Sequence, residues 1–482
     1  MRYAIYGPPG TGKSTRLIRE MKKHHERGID SARVGLVSFT RAAANELAER
    51  IGVKPGRNIA TIHSYAFRML DLSREQVVDN AKLKHFSKVS RIDITGAKSE
   101  DGVEYATEGD FYLSLYGYQR SVLSDDPRTV FLRSERIGSL QNYLYFIECY
   151  KAWKEAYGYV DFSDMLEQCA GLPAPELDVL FVDEAQDLSP AQWVLVNAWT
   201  EQIETVYVAG DDDQAIYVWS GADAEGIQKW ERTFEAERII LDQSYRIPAS
   251  VHRLSQRLIS HTSSRVHKEY LPRQDEGHVV NVNSLSRINW VHGDPTLVLY
   301  RNHSIRKDVE EILMARCIPY ATQGGLSGPL QSPAAAAIRA WLKACDDFYH
   351  MGQCFTTGRD EAIIRRMLQP IHARKRLEEI VSSNRDQWRS LFRLPVEVKR
   401  YFHAIQTKYG LNVEPTITLM TIHASKGREC DHVVLVNGMS ARTEETMLRD
   451  RDSEIRTFYV GVTRAKSRLT IVAHDHMLKE LR

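Results

Sequence analysis

Six cysteines are scattered through the 482 residues, and no two of them form a C-x-x-C pair. The sequence therefore predicts neither a zinc site nor an iron–sulfur cluster, and dispersed, reduced thiols fit a cytoplasmic protein. No apolar run approaches membrane-spanning length, and the chain enters a mostly apolar segment directly at Met1, which predicts no signal peptide. Net charge is +1, and this balance neither requires nor excludes nucleic acid, because a local groove can bind phosphates in a neutral protein.

The composition is that of an ordinary globular protein, with 43% hydrophobic and 26% charged residues. The chain is long enough for more than one domain. Short apolar segments alternate with helical patterns, which predicts an α/β fold with parallel sheets and crossover helices. The predicted strands are Met1–Tyr6, Ala32–Phe39, Asn58–Ile62, Val179–Val182, Thr205–Ala209 and Arg238–Leu241, followed by Thr296–Tyr300, Ile417–Met420, Val433–Val436 and Leu469–Val472.

Two lobes, each interrupted by a mainly helical insert, follow from this pattern. Many Tyr and Phe residues mark the first insert, and the glycine-rich segment Gly324–Pro329 marks a boundary before the second. The predicted boundaries are 1–67 and 160–240 for the first lobe, 68–159 for its insert, 241–330 and 413–482 for the second lobe, and 331–412 for the shorter second insert.

The segment G-P-P-G-T-G-K-S-T at residues 7–15 matches the phosphate-binding pattern G-x-x-x-x-G-K-[ST] at every fixed position. A strand pattern precedes it and a helical pattern follows, so backbone N–H groups and the helix N-terminus can face phosphate oxygens. Lys13 can reach the β and γ phosphates of ATP, and the Ser14 hydroxyl can ligate Mg²⁺. The predicted nucleotide-binding residues are Gly7, Pro8, Pro9, Gly10, Thr11, Gly12, Lys13, Ser14 and Thr15.

An acid pair follows the apolar strand that ends at Val182. Carboxyl ends of parallel strands are where open α/β sheets bind ligands. Asp183 can hold Mg²⁺ through water, and Glu184 can orient or deprotonate the attacking water. Such a pair alone is more often a solvated loop; together with the phosphate loop it predicts a hydrolytic site.

Polar and aromatic residues follow the next strand. Gln214 could sense the γ-phosphate, and Tyr217 and Trp219 would share one side of an extended segment. That arrangement suits stacking on successive unpaired bases, although both aromatics could equally belong to the core.

The whole set of motifs resembles the superfamily 1A DNA helicases of the UvrD, Rep and PcrA type. The matching segments occur in the family's order at residues 7–14, 39–47, 61–64, 182–187, 210–217, 243–246, 419–429 and 459–465. Among these, G-D-D-D-Q-A-I-Y at residues 210–217 is close to diagnostic.

The resemblance implies a motor with two RecA-like lobes that hydrolyses ATP with Mg²⁺ in the cleft between them and moves 3′ to 5′ along single-stranded DNA. It implies that Arg246 and Arg464 come from the second lobe to meet the γ-phosphate; without the motifs, surface salt bridges would be the simpler reading of both arginines. The implied catalytic residues are Lys13, Glu184, Gln214, Arg246 and Arg464. On the nucleotide, Tyr245 could stack on the base and Glu429 would bind the ribose. The residues implied to stack on DNA bases are Phe39, Tyr217 and Trp219. Those implied to contact the DNA backbone are Thr40, His63, Thr421 and His423.

The sequence departs from the family pattern at several places. No counterpart of the segment by which the family recognises adenine precedes Gly7. We therefore expect weak discrimination between ATP and GTP. Thr15 and Ser220 stand where relatives typically carry arginine, and the second insert is shorter than theirs. That insert has a basic cluster that could also be a solvated helix face, formed by Arg365, Arg366, Arg374, Lys375 and Arg376.

Expected partners are single-stranded DNA, junctions of single- and double-stranded DNA, and replication or repair proteins, and we expect a monomer in solution.

Two other functions compete with the helicase interpretation. A subunit of an AAA-type ATPase ring shares the phosphate loop, but that class leaves the segments around Arg246, Lys426 and Arg464 unexplained. A DNA-binding scaffold with an inactive motor would require a broken catalytic position, and none is apparent in the sequence.

Overall fold

A computed structural model describes residues 1–52, 56, 58–96, 105–134, 137–323, 328–351, 358–373, 375–381 and 384–481. The chain forms two compact units, Met1–Glu276 with Glu445–Val460 and Gly277–Glu444 with Gly461–Arg482. Residues 324–327 of the predicted glycine-rich boundary, together with Cys354 and Arg374, lie outside the described residues. The other five cysteines are free thiols.

The strands are β1 (Arg2–Tyr6), β2 (Val34–Ser38), β3 (Ile59–Thr61), β4 (Val179–Asp183), β5 (Thr205–Gly210), β6 (Glu237–Ile240), β7 (His278–Val282), β8 (Thr296–Tyr300), β9 (Tyr320–Thr322), β10 (Ile417–Thr421), β11 (Cys430–Asn437) and β12 (Ala465–Ala473). The helices are α1 (Lys13–Glu26), α2 (Arg41–Ile51), α3 (Ile62–Met69), α4 (Asn80–Ser90), α5 (Glu108–Ser121), α6 (Pro127–Arg133), α7 (Leu140–Tyr157), α8 (Phe162–Ala170), α9 (Pro190–Gln202), α10 (Gly226–Thr233), α11 (Ala249–Ile259), α12 (His303–Ala315), α13 (Pro333–Met351), α14 (Gly358–Met367), α15 (Pro370–Ala373), α16 (Leu377–Ile380), α17 (Trp388–Leu391), α18 (Val396–Lys408), α19 (Ala441–Met447) and α20 (Arg451–Val462).

The sheet of the first unit has six parallel strands in the order β3-β2-β4-β5-β1-β6. β4 and β5 are buried along their whole length, as expected for strands covered on both faces. One face packs on a cluster that includes Trp193 and Trp199, and the other on a cluster that includes Leu17 and Phe181. The predicted two-sided parallel sheet is therefore confirmed for this unit.

Several helices in this unit begin after residues whose side chains accept hydrogen bonds from the otherwise unpaired backbone N–H groups of the first turn. The hydroxyls of Thr40 and Thr61 accept hydrogen bonds in the first turns of α2 and α3. Ser189 forms a capping box with Gln192 at the start of α9, where Pro190 occupies the first turn. Each cap follows a strand or turn closely, and so fixes where the chain leaves the sheet.

Helices α4 to α7 form the first insert around an aromatic core. Phe86 and Phe146 meet edge to face with ring centroids 5.9 Å apart, and Tyr143 and Tyr150 are buried in the same cluster. This cluster is separate from the cores of the sheet, so the aromatic enrichment of residues 68–159 reflects a small helical core.

The sheet of the second unit has six parallel strands in the order β7-β12-β11-β8-β10-β9. Its core continues into the helical segment through Trp341 and Trp388, both fully buried. Among the helices that the structure describes, none is both long and apolar enough to cross a membrane.

Most predicted strands are confirmed to within a few residues, and the differences have local causes. Ala32 and Arg33 lie in a short 3₁₀ turn capped by Asp30, so β2 begins at Val34. The apolar pattern does not predict β7, most of whose residues are exposed, or the short β9.

The two compact units divide the chain differently from the predicted lobes at residues 241–276 and 445–460, which the sequence places in the second lobe and which belong to the first unit. After β6 the chain stays at the carboxyl edge of the first sheet. The Leu241 N–H donates to the Tyr6 carbonyl, and Gln243 forms an isolated parallel bridge with Leu271.

Candidate nucleotide-binding and DNA-binding site

The predicted site residues of the first unit follow the carboxyl ends of its strands. β1 leads into the phosphate loop, β4 into Glu184, and β5 into Asp211. Parallel strands present these ends on one edge of the sheet, which explains why segments far apart in sequence meet there.

The phosphate loop is held by contacts within itself and with neighbouring strand ends. The Thr11 hydroxyl donates to the Pro8 carbonyl at 2.8 Å, and the Gly7 N–H donates to the Gly210 carbonyl at 2.9 Å. Gly12, with φ of 78°, precedes α1, and no side chain caps this helix. The free N–H groups at the start of α1 are therefore available to a phosphate.

Lys13 pairs with Glu184 across the site, with Nζ 3.1 Å from Oε1. Burial alone would lower the pKa of Lys13, but the carboxylates of Glu184, Asp183 and Asp211 outweigh burial and raise it. The ammonium therefore stays charged and ready for an anionic ligand. Glu184 reaches it from a left-handed backbone conformation, with φ of 54°, which is uncommon for a residue with a side chain and typical of functional turns.

Asp183 lies buried beside Ser14, whose hydroxyl hydrogen-bonds its carboxylate. Burial and the neighbouring Glu184 charge raise the pKa of Asp183 to about 6, although Lys13 opposes this. Within the described part of the chain, no three His, Cys, Asp or Glu side chains group as they would to hold a metal ion unaided. Mg²⁺ commonly binds through one or two protein oxygens completed by phosphates and waters, so the Ser14 and Asp183 oxygens fit it.

A hydrogen-bonded relay connects the acid pair to the loop after β5. The Gln186 amide donates to Glu184 Oε2 at 2.5 Å and accepts from the Asp211 N–H at 2.9 Å. Asp211 in turn accepts a 2.6 Å hydrogen bond from the Gln214 amide. A Cβ at Gly210 would lie 2.6 Å from the Gln186 side-chain oxygen, so glycine is needed where the relay crosses β5.

Three aromatic residues lie together beyond this relay. Phe39 and Tyr217 have ring centroids 5.5 Å apart, and Tyr217 and Trp219 have centroids 6.5 Å apart. The expectation of an extended segment is wrong, because Val218–Ser220 is a 3₁₀ turn, which tilts the last two rings by 55° to one another. Trp219 is 47% exposed, so it is not a core residue.

The two predicted contacts to the DNA backbone in this unit have different surroundings. Thr40 is exposed at the cap of α2. His63 is partly buried in the first turn of α3, with its ring edge-on to Phe162 at 5.3 Å. Burial lowers the pKa of His63 to about 4, so its imidazole is neutral at physiological pH.

Tyr245 and Arg246 lie against the phosphate loop in the first unit. The Tyr245 N–H donates to the Gly10 carbonyl at 2.9 Å, and its side chain is 71% exposed. A Cβ at Gly10 would lie 2.4 Å from the Arg246 Cβ, so this left-handed glycine permits the close approach. The buried Ser244 hydroxyl donates to the Pro9 carbonyl at 2.8 Å. Arg246 therefore belongs to the unit that carries the phosphate loop, whereas the sequence predicts it in the other lobe.

Four predicted site residues belong to the second unit. Thr421 is the last residue of β10 and His423 follows it, and both are buried. The Thr421 hydroxyl accepts from the Ala424 N–H at 3.1 Å. Glu429 is exposed. The Arg464 guanidinium is buried and donates to the Arg428 carbonyl at 3.3 Å. The nucleotide and DNA contacts proposed for these residues stay predictions.

Three residues around this site, Gln186, Ser244 and Lys268, have no role in the sequence-based prediction. Gln186 lies within a recognised motif, and an amide side chain two residues after Glu184 is the feature of the sequence that could identify its role. Nothing local distinguishes Lys268, whose side chain is fully buried among carboxylates.

A phosphate loop after the first strand of a parallel sheet, an acid pair beside it and a second parallel sheet define a P-loop NTPase with two RecA-like lobes. Two family models match this chain, the UvrD/REP helicase N-terminal domain over residues 2–235 and the UvrD-like helicase C-terminal domain over residues 403–476. The two matches together cover more than half of the chain, which belongs to the UvrD/Rep helicase family.

Several curated proteins of this family are similar to the chain. DNA helicase II of Haemophilus influenzae is 26% identical over 346 residues, which are 62% of this chain and 46% of that protein. The ATP-dependent DNA helicase PcrA of Bacillus subtilis is 26% identical over 345 residues, 60% of this chain and 44% of PcrA. The ATP-dependent DNA helicase Rep of Salmonella typhimurium is 24% identical over 360 residues, 66% of this chain and 52% of Rep. The chain thus spans about half the length of these relatives.

Proposed function

We propose that this chain is an ATP-dependent motor that moves 3′ to 5′ on single-stranded DNA and separates DNA strands. The observation that carries the proposal is the connected relay from Lys13 and Glu184, through Gln186 and Asp211, to Gln214. Its far end lies in the loop that continues to Tyr217 and Trp219. A change at the predicted phosphate site therefore has a physical route to the predicted base-stacking site.

The residues of the first unit suggest how hydrolysis would proceed. Lys13 and the open start of α1 would bind the β and γ phosphates, and Ser14 and Asp183 would hold Mg²⁺, which neutralises phosphate charge when bound. Glu184 would orient and deprotonate the attacking water. Arg246, beside the phosphate loop, would stabilise the charge that develops on the transferred phosphoryl group, and we propose the same role for Arg464.

Base contacts would come from Phe39, Tyr217 and Trp219. Stacking on aromatic rings is tolerant of sequence because every base has a π face. The half-exposed Trp219 ring suits this role, and single-stranded DNA and its junctions with duplex are the proposed substrates. Replication or repair proteins as partners and a monomeric state are further parts of the proposal.

The competing functions explain fewer observations. Membership of the UvrD/Rep family disfavours a subunit of an AAA-type ring. An inactive scaffold would have no need for Lys13, Ser14, Asp183 and Glu184 to assemble at one strand edge, as they do here.

Streptavidin displacement tests direction and substrate together. Biotin is placed at either end of a single-stranded oligonucleotide, and ATP is added with Mg²⁺. We expect faster displacement from the 5′ end, whereas faster displacement from the 3′ end contradicts the proposed direction. A strand-displacement assay with 3′ or 5′ tails then tests unwinding, with duplex separation expected only from the 3′ tail.

A further inference from the structure

A buried group of opposite charges lies behind the loop that carries Gln214. The Lys268 side chain is fully buried, with Nζ 3.3 Å from an Asp211 oxygen and 2.9 Å from an Asp213 oxygen, and it also pairs closely with Asp212. Arg265 binds Asp213 in a bidentate manner, with distances of 2.8 and 2.7 Å. We call these two cations and three carboxylates the charge cluster.

Electrostatics shows how strongly the charge cluster depends on its cations. Burial raises the pKa of Asp211, an effect that Lys268 opposes and that Asp213 and Asp212 reinforce. Burial alone would lower the pKa of Lys268, but the three carboxylates outweigh burial and raise it. Both cations are therefore charged, and each holds a carboxylate that would otherwise be buried without compensation.

The cations come from one segment, Ser263–Tyr270, which is itself fixed at several points. The Val266 N–H donates to Asp212 at 2.7 Å, and Ser264 donates to Glu225 at 2.6 Å. Ser263 donates to Asp452 at 2.6 Å. The segment is therefore anchored to α20 on one side and to the carboxylates on the other.

We propose that Lys268 and Arg265 are positioning residues that hold the Asp211–Asp213 turn in place and thereby couple DNA binding to ATP hydrolysis. Asp211 is bonded to Lys268, to the Gln186 amide through its own N–H, and to the Gln214 amide. The same turn continues to Tyr217 and Trp219. A shift of this turn changes the position of Gln214 and of the stacking aromatics together, and the two cations restrict that shift. The inference rests on the proposed function.

The experiment compares variants of the full chain in ATP hydrolysis with and without oligo(dT). Lys268→Met removes the central cation, Arg265→Met removes the peripheral one, and Arg265→Lys restores its charge. Lys229→Met is the matched control, because Lys229 also pairs with an aspartate, Asp223, at 2.7 Å, but is half exposed. Thermal melting of each variant is measured in parallel.

We expect the ratio of DNA-stimulated to DNA-free kcat to fall about tenfold in Arg265→Met and at least as much in Lys268→Met, while KM for ATP changes less than about threefold. Arg265→Lys should recover most of the ratio, and Lys229→Met should retain all of it. A role in stability alone would lower both rates together with the folded fraction and leave the ratio unchanged.

Two outcomes separate this inference from the proposed function. An unchanged ratio in a folded Arg265→Met variant overturns the inference, even if Lys268→Met does not fold. A wild-type chain that hydrolyses ATP without any response to oligo(dT) rejects the proposed function, and the coupling role falls with it.

Discussion

The Lys13 ammonium lies 3.1 Å from a Glu184 carboxylate oxygen, so the residue proposed to bind phosphate is paired with the residue proposed to activate water. A nucleotide phosphate must therefore compete with Glu184 for Lys13. We expect Glu184→Gln to bind ATP at least as tightly as the wild type, because the competing charge is removed. Its kcat should fall by about 10²–10⁴, since proton abstraction from water is lost.

Equilibrium nucleotide binding and steady-state hydrolysis measure the two effects of Glu184→Gln separately. Glu20→Gln is a suitable control, because Glu20 is a mostly buried ion-pair partner of Arg16 on α1, away from the loop. Retained turnover in Glu184→Gln would contradict the assignment of the general base.

Trp219 is half exposed, and this decides what its replacement should change. Trp219→Ala should leave the melting temperature close to that of the wild type, because little packing is lost. It should weaken binding to single-stranded DNA by about 1–3 kcal/mol if the indole stacks on a base. Trp219→Phe keeps a ring and should retain much of the affinity. Unchanged DNA binding in Trp219→Ala would remove this residue from the site.

The sequence predicts much of this site because the segments that form the site follow apolar strands. The phosphate loop and the acid pair both come directly after strands of one parallel sheet, and the carboxyl ends of such strands meet at one edge of the sheet. The proximity of Lys13 and Glu184 follows from that geometry. The same reasoning identifies ten of the twelve strands in the part of the chain that the structure describes, and it does not predict β7 and β9.

Contacts without a local pattern could not be predicted. Lys268 meets Asp211 and its neighbours across a long stretch of chain, and a lysine in a loop is ordinarily expected at the surface. The sequence predicts that Tyr217 and Trp219 share one side of an extended segment, but a 3₁₀ turn at Val218–Ser220 sets the tilt between their rings. The Lys268 contacts depend on packing between distant segments, and the turn is held by local hydrogen bonds such as that from the Ser220 N–H to the Tyr217 carbonyl. Periodicity reports neither.

Asp183 should make the stability of the protein depend on pH. Its pKa rises from an ordinary 3.8 to about 6 on folding, so the folded chain holds this proton more tightly than the unfolded chain does. Stability from this group is therefore greatest at low pH and is lost as pH rises through about 6. Replacement by the neutral Asp183→Asn should stabilise the protein at pH 8 by up to about 3 kcal/mol and by less at pH 5.

Urea denaturation at the two pH values measures this difference. Asp178→Asn provides a control of opposite sign, because the hydrogen bonds from Arg33 lower the pKa of Asp178. Removing the Asp178 carboxylate should therefore destabilise the protein at pH values above the ordinary pKa of an aspartate. Equal effects of Asp183→Asn at pH 5 and pH 8 would show that burial of the Asp183 charge is not costly.

His63 provides a test of how DNA phosphates are bound. Burial lowers the pKa of its imidazole to about 4, so between pH 6 and pH 8 the ring carries no charge. A neutral donor can hydrogen-bond a phosphate but releases no condensed counterion, whereas a cation changes the slope of log K against log salt by about 1. We therefore expect His63→Asn to weaken binding to oligo(dT) equally at pH 6 and pH 8, with the salt slope of the wild type. Fluorescence anisotropy across a salt series at both pH values measures this. A deficit that grows at pH 6 and reduces the slope by about 1 would mean that His63 binds phosphate as a cation, in spite of its burial beside Phe162.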